Sequence, residues 1–142
     1  MDFRWEYSCE SVDWDELTEL YRVAPLGEKT AAGLQTCFAN SRYVCLVYDQ
    51  DKLIAAGRAL ADGVDSSYIA DVAVLPDYQG RGVGTDIVSH LMRVSEGHRK
   101  IFLYAAVGKE DFYRRLGFKR MTTAMAIFDD QDAAVARGLL EE

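Results

Sequence analysis

The stretch Tyr78–Gly84, YQGRGVG, decides how this chain is read. It follows the apolar run YIADVAVLP and precedes TDIVSHLMRV, so three glycines stand where a strand hands over to a helix. A helix N-terminus leaves its first amides unpaired and carries partial positive charge. Glycines at that point let an anion touch the backbone, and Thr85 adds a hydroxyl. A tight turn without a ligand is the plain alternative, but one turn does not need Gly80, Gly82 and Gly84 together. A Walker loop requires G-x-x-x-x-G-K-[ST], and no such string occurs. The dinucleotide fingerprint G-x-G-x-x-G is met by Gly80 and Gly82 but not by Thr85 at its third glycine. The loop also lies past the middle of the chain, which leaves little room for a second mononucleotide half.

On either side of this stretch the hydrophobic pattern gives the elements. DFRWEYSC alternates Phe3, Trp5 and Tyr7 with Arg4 and Glu6 and reads as a first strand. SVDWDELTELYRVA reads as an amphipathic helix capped by Ser11 or Asp13, and KTAAGLQTCFANS as a second helix interrupted by Gly33. RYVCLVYDQDKLIAAGRAL is a β-hairpin about the turn DQD, and SYIADVAVL is a central strand. After the glycine loop, Val83, Ile87, Val88, Leu91 and Val94 recur at helical spacing, with Gly97 beyond the end. KIFLYAAV is expected to be a buried strand, GKEDFYRRLGF a short helix ended at Gly117, FKRMTTAMAIF a last strand and DDQDAAVARGLLEE a closing helix. The expected order is β-α-α-β-β-β-α-β-α-β with a C-terminal helix: an α/β domain around a mixed sheet. The strand–helix–strand unit from about 67 to 105 predicts a right-handed crossover with parallel strands.

Length and composition bound the function. A chain of 142 residues, 49% hydrophobic and 27% charged, is expected to form a single domain (1–142) with a core of its own. A net charge of −7 disfavours a nucleic-acid binder. No apolar run reaches a membrane span, and MDFRWEYSCE lacks the basic and apolar regions of a signal peptide. Cys9, Cys37 and Cys45 are odd in number and widely spaced, against a disulfide framework or a metal site, and a reducing cytoplasm is expected.

VAVLPDYQGRGVG resembles motif A of the GNAT superfamily of acetyl-coenzyme A-dependent N-acetyltransferases. The family pattern Q/R-x-x-G-x-G/A is met by Gln79, Gly82 and Gly84, and the lead-in from Val74 to Gln79 is also typical. DFYRRLGF (111–118) is similar to motif B, with F-Y-x-x-x-G-F intact. The resemblance covers residues 43 to about 128; the first forty fit only by element order. It implies a single GNAT-like domain whose fourth and fifth strands splay into a V. Acetyl-CoA would lie in that slot, its pantetheine paired with Val72, Ala73 and Val74 and its pyrophosphate on Gln79, Gly80, Arg81, Gly82, Val83, Gly84 and Thr85. Arg81, Arg114, Arg115 and Lys119 could offset cofactor charge, although such residues more often form a solvated face.

The implied chemistry is direct acetyl transfer to a primary amine, on a small molecule or as a lysine or N-terminal amine of a peptide. Tyr113 holds the motif B tyrosine position, which implies a general acid at the cofactor sulfur; a phenol is protonated at neutral pH. A backbone amide near Val72 would polarise the carbonyl. Asp71, a carboxylate in an apolar strand, is the candidate base or amine-binding group; otherwise it is a buried acceptor for backbone amides. Alternation puts Asp71 and Tyr68 on opposite faces unless a bulge intervenes. Tyr68, Glu28 and Arg22 are candidates for the acceptor pocket. The family's frequent Asn before the motif B helix is missing from AAVGKED, so its contact must be replaced, for instance by Lys109. No metal, membrane or nucleic-acid partner is implied, and a homodimer is compatible with the fold without being specified. An acyl-CoA-binding regulatory module without turnover is the alternative.

Overall fold

A computed structural model describes residues 2–142. Two compact units are distinguished, one running through Leu103 and the other comprising Tyr104–Glu142.

The first unit holds a five-stranded sheet among the described residues, in the order β1-β2-β3-β4-β5. Its strands are β1 (Arg4–Glu6), β2 (Tyr43–Asp49), β3 (Lys52–Ala61), β4 (Ser66–Val74) and β5 (Lys100–Phe102). The first four pair antiparallel in sequence, while β4 and β5 pair in parallel, as the strand–helix–strand reading requires. The hairpin between β2 and β3 closes through Gln50, held at φ 54°.

Helices α1 (Trp14–Val23) and α2 (Ala31–Ala39) cover one face. Asp13, the second of the two cap candidates, accepts from the amides of Asp15 and Glu16, and Thr30 caps α2 through Gly33 N. A buried side chain is worth about 1.5–3 kcal/mol relative to exposure. The stripe Leu17, Leu20, Tyr21, Leu34 and Phe38 therefore drives docking onto Leu46, Ala56 and Ala73. Helix α3 (Val83–Val94) lies on the other face. A Cβ on Gly57, next to Ala56 and so pointing the other way, would stand 2.8 Å from Ile87. Gly57 thus lets α3 pack against the sheet backbone. Ser67 and Ser95, both fully buried, pair their hydroxyls at 2.8 Å and tie the start of β4 to the end of α3.

The second unit contains α4 (Glu110–Arg115) and α5 (Gln131–Ala136). Two expectations are corrected. The strand expected over KIFLYAAV is only Lys100–Phe102, and the strand expected over FKRMTTAMAIF does not form. Strand preference is a property of the paired, half-buried surface rather than of the residues alone. Residues 118–128 join no ladder, and Met125 and Ile127 are more than nine-tenths exposed.

Candidate active site

The glycine stretch begins where β4 ends. Pro76–Tyr78 form one 3-10 turn, and the Gln79 side chain returns to donate to the carbonyl of Val74 at 3.0 Å. Gly80 and Gly82 take φ of 78° and 84°, the left-handed region that disfavours every side chain. A Cβ on either would meet no described atom within 4 Å. The glycines are therefore needed for backbone conformation, and the space above them is open. Gly82 caps α3, and the first intrahelical bond is Asp86 N to Gly82 O, at 2.9 Å. The amides of Val83, Gly84 and Thr85 in that first turn have no helical acceptor. The Arg81 guanidinium lies 5.2 Å over the Tyr78 ring, whose hydroxyl donates to Asp49 at 2.6 Å.

Pairing between β4 and β5 covers only Ser66–Tyr68 against Lys100–Phe102. From Ile69 to Val74 that edge of β4 has no strand partner among the described residues. Unpaired backbone groups on an inner strand need an alternative partner. The open edge, including Val72, Ala73 and Val74, runs into the glycine stretch.

A bulge interrupts β4 at its centre. Ala56 pairs with Ala73 and Arg58 with Ala70, so Asp71 and Val72 together oppose Gly57. Asp71 takes φ 56°, unusual for a residue with a side chain. The bulge puts Asp71 and Tyr68 on one face. Ser67 points to α3, so Tyr68 points away from it, toward the side of α1 and α2. Asp71 meets partners from that same side. Tyr68 stacks on Phe102, ring centroids 5.4 Å apart.

Four groups hold the bulge. The Tyr21 hydroxyl donates to the Asp71 carbonyl at 2.6 Å. Arg58 Nε lies 2.8 Å from Asp71 Oδ2, and Lys29 Nζ 3.2 Å from Oδ1. Ser41 Oγ accepts from Arg58 Nη1 at 3.3 Å. Lys29 Nζ also sits 5.3 Å from the Tyr21 ring centroid. Burial first, and the Asp71 charge second, hold the Tyr21 phenol well above its ordinary range, so it remains a donor. Sequence reasoning passed over Tyr21, Lys29 and Arg58. One signal was available: Arg58 is the lone charge inside LIAAGRALA, and Asp71 the lone charge inside SYIADVAVL.

The remaining candidates are dispersed. Arg22 is exposed and paired with Glu19, its Nε 2.8 Å from Oε2, and Glu28 is exposed in the connection between α1 and α2. A cavity of about 380 Å³ between α1 and the end of β4 is lined by Leu20, Val23 and Leu75 together with Glu16, Glu19, Asp77 and Lys52. In the second unit, Tyr113 packs edge-on against Phe112 and Phe118, at centroid distances of 5.0 and 5.9 Å. Gly117, at φ 102°, lets the chain turn back so that Phe118 N donates to Tyr113 O at 3.1 Å. Burial raises the Tyr113 phenol above its ordinary value of 10.0. No group of ligating side chains suited to a metal occurs among the described residues.

Comparison with known proteins bears on this arrangement. The sequence matches the acetyltransferase (GNAT) domain family over residues 40–120. It is 30% identical over 118 residues to an uncharacterized N-acetyltransferase, ycf52, of Gracilaria tenuistipitata var. liui, covering 80% of this chain and 59% of that one. It is 39% identical over 72 residues to the chloroplastic GCN5-related N-acetyltransferase 2 of Arabidopsis thaliana, covering 49% of this chain and 28% of that one. The chain thus spans less than two thirds of the length of these curated relatives. A probable acetyltransferase of unknown function from meticillin-resistant Staphylococcus aureus superposes with a TM-score of 0.79 at 24% identity, covering 91% of this chain and 99% of that one. The matched span contains the bulged strand, the glycine turn and Tyr113, and the chain belongs to the GNAT acetyltransferase domain family.

Proposed function

We propose that the chain is an N-acetyltransferase that passes the acetyl group of acetyl-CoA directly to a primary amine, either of a small molecule or of a lysine or peptide N-terminus. One observation carries this reading: the unpartnered edge of β4 leads into a glycine turn with open space above it and free helix amides beside it. An extended pantetheine with two amides fits such an edge, and a pyrophosphate fits such a turn. Val72, Ala73 and Val74 would hold the first, and Gln79 through Thr85, including Arg81, the second.

Acetyl-CoA supplies an activated acetyl thioester. The residues of the chain then have three tasks. The amide of Val72, beside the bulge, donates to the thioester oxygen as negative charge develops there. Tyr113, kept protonated by burial, gives its proton to the departing thiolate as the C–S bond breaks and the N–C bond forms. Asp71 receives the amine. Its oxygens already face a guanidinium and an ammonium, so it is suited to binding a cation, and the amine's proton passes to water. Tyr68, on the same face, would line the acceptor pocket.

Titration calorimetry with acetyl-CoA is the first test. Absence of binding at high micromolar cofactor would refute the reading. Thiol release with a panel of primary amines then separates an enzyme from a binding module. Binding without thiol release from any amine would favour an acyl-CoA-responsive regulatory role.

A further inference from the structure

Asp71 carries one negative charge but faces two cations. Arg58 Nε at Oδ2 and Lys29 Nζ at Oδ1 leave the group with a net positive charge where the three side chains are only 13–20% exposed. One cation balances the charge of a carboxylate, so the second leaves the group with an excess. The two differ in how they are held. Arg58 rises from β3 and is braced by Ser41. Lys29 belongs to the connection between α1 and α2, where Gly27 takes φ 96° with no described atom near its Cβ direction. An unbranched ammonium reaching in from that connection, against a carboxylate and beside an aromatic ring, is the arrangement that recognises an alkylammonium ligand.

We propose that Asp71 Oδ1 and the Tyr21 ring form the subsite for the acceptor's ammonium group, and that Lys29 occupies it as an internal substitute until the acceptor displaces it. Asp71 lies within the open edge of β4, next to Val72–Val74, so the subsite borders the slot. The acceptor end it fits resembles Lys29 itself: a primary amine on an unbranched alkyl chain, as in a lysine side chain or a polyamine. This inference relies on the proposed acetyl transfer only for calling the ligand an acceptor. Lys29 acts as a competitor, and its removal raises apparent affinity by the inverse of the fraction of time the subsite stands open.

The test uses n-butylammonium chloride without acetyl-CoA, followed by amide chemical shifts of the full chain. Lys29→Ala and Lys29→Gln are expected to bind it about tenfold more tightly than the parent, which corresponds to a subsite open about one tenth of the time. Adding Asp71→Asn to Lys29→Ala should abolish that binding, and Asn tolerates the left-handed backbone at this position. Equal or weaker binding by both Lys29 variants would overturn the proposal, as would tight binding that survives Asp71→Asn. The assay contains no acetyl-CoA. A chain that binds butylammonium as described but acetylates nothing refutes the enzyme and keeps the subsite. Turnover with amine binding unaffected by Lys29 refutes only the subsite.

Discussion

Replacing Gly82 by Ala separates what the glycine does for the fold from what it does for a ligand. The backbone at Gly82 has φ 84°, and an alanine there costs about 1–2 kcal/mol in the left-handed region. No steric cost within the protein is added, because the Cβ meets no described atom within 4 Å. A chain of this size loses about 2–4 °C of melting temperature per kcal/mol, so Gly82→Ala should melt about 2–8 °C lower without cofactor. Gly97, at φ 98° and equally open, stands beyond the other end of α3 and serves as the control. Gly97→Ala should lose similar stability for the same reason. The two variants diverge when acetyl-CoA is added. Stabilisation by a ligand follows RT ln(1 + [L]/Kd). The parent and Gly97→Ala should gain equally at a given cofactor concentration, while Gly82→Ala should gain much less, because its methyl group occupies the space proposed for the pyrophosphate. Calorimetry and thermal melts over a cofactor series measure both terms. Equal cofactor affinity in Gly82→Ala and Gly97→Ala would refute the assignment of the glycine turn to the pyrophosphate.

Four further outcomes are expected. Tyr113→Phe should lower turnover by about 10²-fold or more, the usual contribution of a general acid, with cofactor affinity unchanged; because burial raises this phenol, the parent's rate should lose the acid form only at higher pH than a free phenol does. Tyr21→Phe keeps the buried ring but removes the donor to the Asp71 carbonyl, so the urea midpoint should correspond to a loss of about 1–3 kcal/mol; an unchanged midpoint would mean that the hydroxyl does not hold the bulge. Gly57→Ala drives a methyl group to within 2.8 Å of Ile87, and an overpacking cost of about 1–3 kcal/mol should appear in the same titration. Burial pushes the Cys45 thiol from 9.0 up to about 12, whereas the unfolded thiol ionises near 9. The unfolded chain then binds fewer protons across that interval, so this contribution is complete below pH 9 and declines as pH rises toward 12. Urea titrations from pH 8 to 10 should show the decline, and Cys45→Ala should reduce it.

The elements through α4, apart from the extent of β5, were legible because their patterns are local. Alternation in β2 and β3, the Asp13 cap, the apolar stripe of α3 and the glycines before it follow from neighbours a few residues apart. The strand expected over 118–128 failed because a strand needs a ladder partner, which no local pattern supplies. The same reason explains why Tyr21, Lys29 and Arg58 were passed over. They lie 50, 42 and 13 positions from Asp71 and meet it only after α1, the α1–α2 connection and β3 have packed.

The sequence by itself determined the glycine turn, the family and the two motif tyrosines at 78 and 113, because left-handed backbone positions and motif spacings leave a local signature that reads in one dimension. Tertiary structure alone decided the face on which Asp71 stands. One extra residue opposite Gly57 reverses the alternation of β4, and that reversal is a matter of register between strands, which no single strand encodes.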